Sequence, residues 1–260
     1  MLHYEISGNG KKPLVLLHGF MEDHTIWSDM ESHFSKEFTL IKIDLSGHGK
    51  SENNNAVNSM DFMAEKVKEV IEKLNLNKIN ILGHSMGGYV SLAFAEKFPE
   101  SIESLTLFFS TTLADDEEKK QIRRRSIAVI DENFETFVNT SIPNLFSNNE
   151  KDILEGKIEL AKKIAKSTNK EGVKAAQLGM AERPDRTEIL EKLEAKILII
   201  AGKYDNAVKT ENLLKALPDK TNIKTYVLDC GHCGHWEKPT ICAEIINTEL
   251  LHNLPKKLVF

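Results

Sequence analysis

The sequence predicts an α/β fold, a mostly parallel sheet flanked by helices and interrupted by an inserted helical unit. Three observations carry this. Short apolar runs bounded by turn residues alternate with longer amphipathic segments, the pattern of strands and helices in a parallel sheet. Several runs, among them "PLVLLHG" (13–19) and "AKILIIAG" (195–202), are apolar almost throughout, as strands covered on both faces are. The alternation stops between Ser110 and Ala195, where the residues read as helices rich in Lys, Glu and Arg.

In chain order, "PLVLLHG" is followed by a helical segment at 24–35, and "FTLIKIDL" (38–45) by the polar loop "ENNNAVNS" (52–59) and a helix at 59–74. "KINILGHS" (78–85) runs into a helix at 86–97, and "SLTLFFS" (104–110) leads into the inserted unit. There Ile122, Ile127, Ile130, Phe134, Phe137, Val138, Leu145 and Phe146 supply an apolar face. The charged run "DDEEKKQIRRR" (115–125) reads as a solvated helix face rather than an anion site. Beyond it come "AKILIIAG", a helix at 209–217, "IKTYVLD" (223–229) and a helix at 240–252. No internal repeat is present.

Composition bounds the partners. A chain of 260 residues buries a substantial core as one large domain or two small ones, and 41% hydrophobic with 28% charged residues is ordinary for a soluble protein. The net charge of -5 supplies no attraction for nucleic acid or an anionic membrane, so neither is an expected partner. No charged leader with a long apolar core opens the chain, and no apolar run approaches the roughly 20 residues that span a bilayer. A cytoplasmic location is the expectation. The three cysteines all fall between Cys230 and Cys242, too close together to staple distant parts of the chain.

The chemistry concentrates in "GHSMGG" (83–88), a G-x-S-x-G pattern. Alone it is weak. Its placement strengthens it, because an apolar strand enters and a helix-compatible segment leaves, which is the setting of a nucleophile on a sharp turn. The flanking Gly83 and Gly87 remove side chains that would collide across such a turn, and Ser85 is left exposed at the C-terminal end of the sheet. A serine hydroxyl needs a base, and the base an orienting carboxylate. "AGKYDNAV" places Asp205 just beyond one strand, and "LDCGHCGHW" (228–236) places His232 just beyond the next. Parallel strands deliver their C-terminal ends to one rim, so Ser85, Asp205 and His232 should meet there. Asp229 is the rival acid, but it shares a short segment with His232 and would have to fold back on it. The turn at His18-Gly19-Phe20 can aim the Phe20 N–H at the same rim, and with the N–H of Met86 it would form an oxyanion hole. His18 itself reads as a structural turn residue.

Two other chemistries compete for "LDCGHCGHW". A redox dithiol at Cys230 and Cys233 should sit at a helix N-terminus after an early strand in a much smaller domain, and a zinc site there lacks a second ligand pair elsewhere. Both are disfavoured, although pairing of Cys230 with Cys233 under oxidation would displace His232 and make activity oxidation-sensitive.

With these motifs in place the chain resembles the α/β-hydrolase family over essentially its whole length. The ordered matches are "HGF" (18–20), "DLSGHGKS" (44–51), "GHSMGG", "AGKYDNAV" (201–208) and "GHCGHWEKP" (231–239), the last through Gly231, His232, Glu237 and Pro239. The resemblance implies a hydrolase core formed by residues 1–113 and 184–260, with 114–183 as a helical cap over the nucleophile. Ser85 argues against the aspartate-dependent dehalogenases and epoxide hydrolases of that family. Tyr89, where enzymes similar to the menaquinone-pathway lyase carry arginine, argues against that activity. Ser46 stands where many relatives have arginine and reads as a structural turn.

The expected function is that of a carboxylesterase-like serine hydrolase, cleaving carboxylic esters of small to medium acyl groups through an acyl-enzyme, with no cofactor and no metal. Lactone, thioester or carbon–carbon bond hydrolysis on the same triad is the nearest alternative, and a ligand-sensing signalling protein on this fold is a second.

Overall fold

The computed structural model describes residues 1–251. Seven strands form one sheet: β1 (Tyr4–Ser7), β2 (Lys12–Leu17), β3 (Phe38–Ile43), β4 (Ile79–His84), β5 (Ile102–Phe108), β6 (Lys196–Gly202) and β7 (Ile223–Leu228). Their order is β1-β3-β2-β4-β5-β6-β7, with β1 antiparallel to β3 and every other pair parallel. The helices are α1 (Ser28–Glu31), α2 (Met60–Lys73), α3 (Met86–Lys97), α4 (Glu117–Ser141), α5 (Glu155–Ser167), α6 (Lys170–Ala181), α7 (Thr187–Lys192), α8 (Thr210–Ala216), α9 (Gly234–Glu237) and α10 (Pro239–Leu251).

Double coverage explains the apolar runs. Leu14 to Leu17 are all fully buried, and successive residues enter different cores. Leu14 and Leu16 pack with Trp27, Phe108 and Ile246, whereas Val15 and Leu17 pack with Val67 of α2 and Val90 and Phe94 of α3. The chain passes from β3 over β2 to β4, so the turns leaving β2 and β4 lie side by side at the point where strand order reverses, the usual place for a ligand crevice.

Three elements differ from expectation. β1 is a four-residue edge strand, too short and polar to register as an apolar run. The segment 24–35 forms a 3-10 turn (His24–Trp27) and the single turn α1 rather than one helix; the side chain of Asp23 accepts from the Thr25 N–H and starts that tight turn. α4 is broken at Asn133, whose backbone is extended (φ -153°, ψ 87°) and whose side chain accepts from the Thr136 N–H, capping the second half. Between β5 and β6 the chain is helical, α4 to α7, and no helix among the described residues is long and apolar enough to cross a membrane.

Candidate active site

Ser85 sits between β4 and α3 with φ 49° and ψ -113°, a conformation that costs a non-glycine residue about 1–3 kcal/mol. Its surroundings enforce it. The Ser85 N–H donates to Phe108 O (3.0 Å), while its carbonyl accepts from the Gly88 N–H (2.9 Å) and from Ser110 Oγ (2.7 Å). A Cβ on Gly83 would lie 2.2 Å from Gly87 O, and one on Gly87 would lie 2.4 Å from Leu17 O. Glycine at both positions is therefore a packing requirement of the turn, as the spacing in the sequence implied.

His232 and Asp205 meet, with Nδ1 of the imidazole 2.7 Å from Oδ2 of the carboxylate, and both side chains are almost fully buried. The second oxygen of Asp205 accepts from the N–H groups of Ala207 and Val208, each at 2.8 Å, so the carboxylate cannot turn away. Asp229 does not compete: its side chain is 74% exposed and pairs with Lys203. The loop bearing His232 is held from two directions. The His232 N–H donates to Leu145 O (2.7 Å), and Glu237, buried behind the loop, accepts from the N–H groups of Gly231 (2.8 Å), Cys233 (3.2 Å) and Ser147 (3.2 Å).

Ser85, His232 and Phe20 line one cavity of about 540 Å³, whose walls include Tyr89, Ile122, Phe137 and Met180. Met86 opens α3 and is buried, so its N–H belongs to the first turn, where no intrahelical acceptor exists. A larger hollow of about 890 Å³ lies at the opposite ends of the strands, against Lys12, Asn80 and Lys196, and contains none of these residues.

Behind it lies a pair that sequence reasoning missed. Glu22 Oε2 accepts from the Gly19 N–H (2.6 Å) and lies 2.8 Å from Nδ1 of His84, whose Nε2 is 3.0 Å from the carbonyl of His232. Burial works against charge on both side chains, but each overcomes it in the other: the Glu22 carboxyl is held down to about 2 and the His84 imidazole is raised. The pair joins the turn carrying Phe20, the turn carrying Ser85 and the loop carrying His232. His84 was visible only as the variable residue of G-x-S-x-G, and Glu22 stands 62 positions away from it. His18 is structural, as expected: Nδ1 donates to Gly19 O (2.7 Å) and Nε2 accepts from the Leu45 N–H (2.9 Å).

The other readings of "LDCGHCGHW" lose ground. Cys230, Cys233 and Cys242 are free and buried, and burial raises all three thiols, Cys242 to about 12. A thiol held protonated is a poor nucleophile for disulfide exchange. Among the described residues, no group of three converging metal-ligand side chains includes a cysteine.

A sequence profile of the alpha/beta hydrolase fold matches residues 12–239. The chain belongs to the α/β-hydrolase fold family. A thermophilic esterase from Thermogutta terrifontis, solved with malate bound, superimposes with a TM-score of 0.89 at 32% identity over 96% of this chain and 93% of its own. The enol-lactonase from Burkholderia xenovorans LB400 superimposes with a TM-score of 0.87, covering 96% of each chain; at 21% identity that likeness speaks for the fold alone. A 2-hydroxy-6-oxononadienedioate/2-hydroxy-6-oxononatrienedioate hydrolase of Escherichia coli K12 is 27% identical over 91% of this chain and 86% of its own. This α/β-hydrolase thus resembles proteins named as an esterase and as a hydrolase of an oxo-dicarboxylate.

Proposed function

We propose that this α/β-hydrolase is a serine hydrolase of carboxylic esters with small to medium, uncharged acyl groups. The observation that carries the proposal is the 2.7 Å contact between His232 and Asp205 at the edge of the cavity that also holds Ser85. With Nδ1–H donated to Asp205, the basic nitrogen of His232 is Nε2, the tautomer a general base requires. His232 takes the proton of Ser85 as Oγ attacks the acyl carbon. The N–H groups of Phe20 and Met86 receive the developing oxyanion, and a donor in that position is worth roughly 10²-fold to 10³-fold in rate. His232 then protonates the leaving alcohol, and the acyl-enzyme remains on Ser85. Water, activated by the same imidazole, releases the acid and restores the serine. No step calls on a cofactor or metal.

The cavity wall favours an uncharged acyl group. Two cations line it besides Lys209, and both are engaged: Arg123 with Asp115 and Gln177, Lys119 with Ala207 O and Asp115. Among the described residues the one guanidinium on that wall is thus engaged, and Lys209 shares the wall with the carboxylates of Asp116 and Glu118, which oppose a dicarboxylate of the kind named for the E. coli relative. Residues 114–183 form, in this reading, the cap that shapes the pocket, since Ile122, Phe137 and Met180 come from it. The alternatives are a lactone, a thioester or a carbon–carbon bond in a diketone, and the esterase name of the 32% identical relative favours the ester. We further propose that the protein works in the cytoplasm on a small molecule, without nucleic acid or membrane as partner.

The test is Ser85→Ala assayed on short-chain aryl esters, with folding checked by circular dichroism. Removing the nucleophile should lower kcat by about 10⁶-fold. A folded variant that retains most of the activity overturns the assignment. Inactivity of the wild type on aryl esters with turnover of a vinylogous diketone replaces the ester by the carbon–carbon bond, and a single slow turnover followed by ligand-dependent partner binding replaces the enzyme by a sensor.

A further inference from the structure

At the open edge of the sheet, away from Ser85, three side chains with metal-binding atoms converge. His3 precedes β1, Glu5 lies within it, and His24 starts the 3-10 turn beyond β2. Their backbones are fixed. The Asp44 N–H donates to His3 O (3.0 Å), the His3 N–H to Ser51 Oγ (2.8 Å) and the His24 N–H to Asp44 Oδ1 (2.8 Å), while Glu5 is paired with Lys42 in the sheet.

Oε1 of Glu5 lies 3.1 Å from Nε2 of His24 and 3.8 Å from Nε2 of His3, and all three atoms fall within 4.8 Å of one another. Zinc bonds to nitrogen and carboxylate oxygen are about 2.0–2.2 Å, so neighbouring ligands on a tetrahedron stand about 3.4 Å apart. The two observed separations bracket that value. Two further features point to a ligand. Nε2 of His3 is buried without a hydrogen-bond partner among the described residues. Nδ1 of His24 is held by Asp44 at 2.8 Å, which leaves Nε2 facing Glu5, the carboxylate–histidine arrangement that orients imidazoles on metals. The side chains of His3 and Glu5 are 29% and 43% exposed, so an ion has access and water can supply the fourth position. Lys50 also approaches Glu5 (3.4 Å), but its side chain is 63% exposed and free to swing into solvent.

We propose that His3, Glu5 and His24 bind one zinc ion that ties the edge strand to the turn beyond β2. Two imidazoles and one carboxylate select a borderline transition metal over magnesium or calcium, which take oxygen ligands. The site is separate from the proposed hydrolytic machinery and does not depend on that assignment. Glu22, His84 and His235 also place three donor atoms within the same distance, but there Glu22 and His84 are engaged with each other, with Gly19 and with His232.

Isothermal titration of the metal-free protein with zinc chloride, with magnesium chloride as control, tests the proposal. One zinc per chain should bind, with a rise in Tm, and His3→Gln and Glu5→Gln should each weaken binding roughly tenfold or more while magnesium binds to neither. Cobalt(II) titration of the wild type should give the visible bands of a tetrahedral site, a readout that holds even if a variant folds poorly. Absence of stoichiometric zinc binding, or zinc binding of unchanged affinity in folded His3→Gln and Glu5→Gln, overturns the assignment.

Discussion

Nε2 of His84 lies 3.0 Å from the carbonyl oxygen of His232, so the residue just before the proposed nucleophile donates to the backbone of the proposed base. Its other nitrogen is paired with Glu22, and both side chains are buried. Breaking a buried ion pair by removing one partner costs about 3–5 kcal/mol, because the remaining charge loses its counter-charge. Glu22→Gln is therefore expected to lose stability on that scale in urea unfolding. Ester hydrolysis by the folded fraction should show a lower kcat with KM little changed, since three loops lose their common tether while the cavity wall stays. A variant as stable as the wild type refutes the ion pair.

His235 is the opposite case. It is completely buried against Trp27, Phe108, His84 and Trp236, and neither ring nitrogen has a hydrogen-bond partner among the described residues. Burial drives its pKa well below the ordinary value, so the ring is neutral in the fold. An unsatisfied buried donor costs about 1–3 kcal/mol, and phenylalanine fills a similar volume without it. His235→Phe should stabilise the protein by about 1 kcal/mol in urea unfolding at pH 8. Below the ordinary imidazole value of 6.5 the unfolded chain protonates this histidine and the native fold does not, so wild-type stability falls as pH falls through that range. The advantage of the variant should widen from pH 7 to pH 5; an advantage independent of pH excludes His235 as its source.

The contrast between these histidines marks what was legible in the sequence. Ser85, Asp205 and His232 each follow an apolar run, and parallel strands must present such positions on one rim, so their convergence was readable from order alone. The elbow glycines were readable for the same local reason. Glu22 and His84 were not, because their contact spans 62 positions and depends on two neighbouring turns. β1 was missed because an edge strand of four half-exposed residues has no apolar run to announce it, and His3, Glu5 and His24 became neighbours only through its pairing with β3. The break in α4 at Asn133 left no signal beyond one capping residue.

Asp115 offers a pH-dependent test of how the helical segment is anchored. Its carboxylate accepts from Arg183 (2.9 Å) and Arg123, and the Arg183 guanidinium also stacks 4.0 Å from the ring centre of Tyr89, which lines the cavity. Burial alone would raise the carboxyl; the two guanidinium groups outweigh it and hold it down to about 2. The stabilisation is complete above the unfolded value of 3.8 and disappears as pH falls from there towards 2. Asp115→Asn should therefore be clearly less stable than the wild type at pH 7 in urea unfolding, with the gap closing on acidification below pH 4. A gap of constant size assigns the loss to packing rather than charge.

The cysteines close the question raised by their spacing. All three thiols are buried and raised by burial, so little thiolate exists near neutral pH, and the loop that carries Cys230 and Cys233 is held by Glu237 through the N–H groups of Gly231 and Cys233. Burial of the sulfurs and the hold of Glu237 on the loop both oppose pairing of Cys230 with Cys233. The native protein should consequently be slow to react with Ellman's reagent and should titrate three thiols only after unfolding in guanidinium chloride. Its ester hydrolysis should be indifferent to diamide on the timescale of an assay. Glu237→Ala frees the loop, and in that variant thiol reactivity and diamide sensitivity should rise together; rapid labelling of the native wild type would show that burial does not protect these sulfurs.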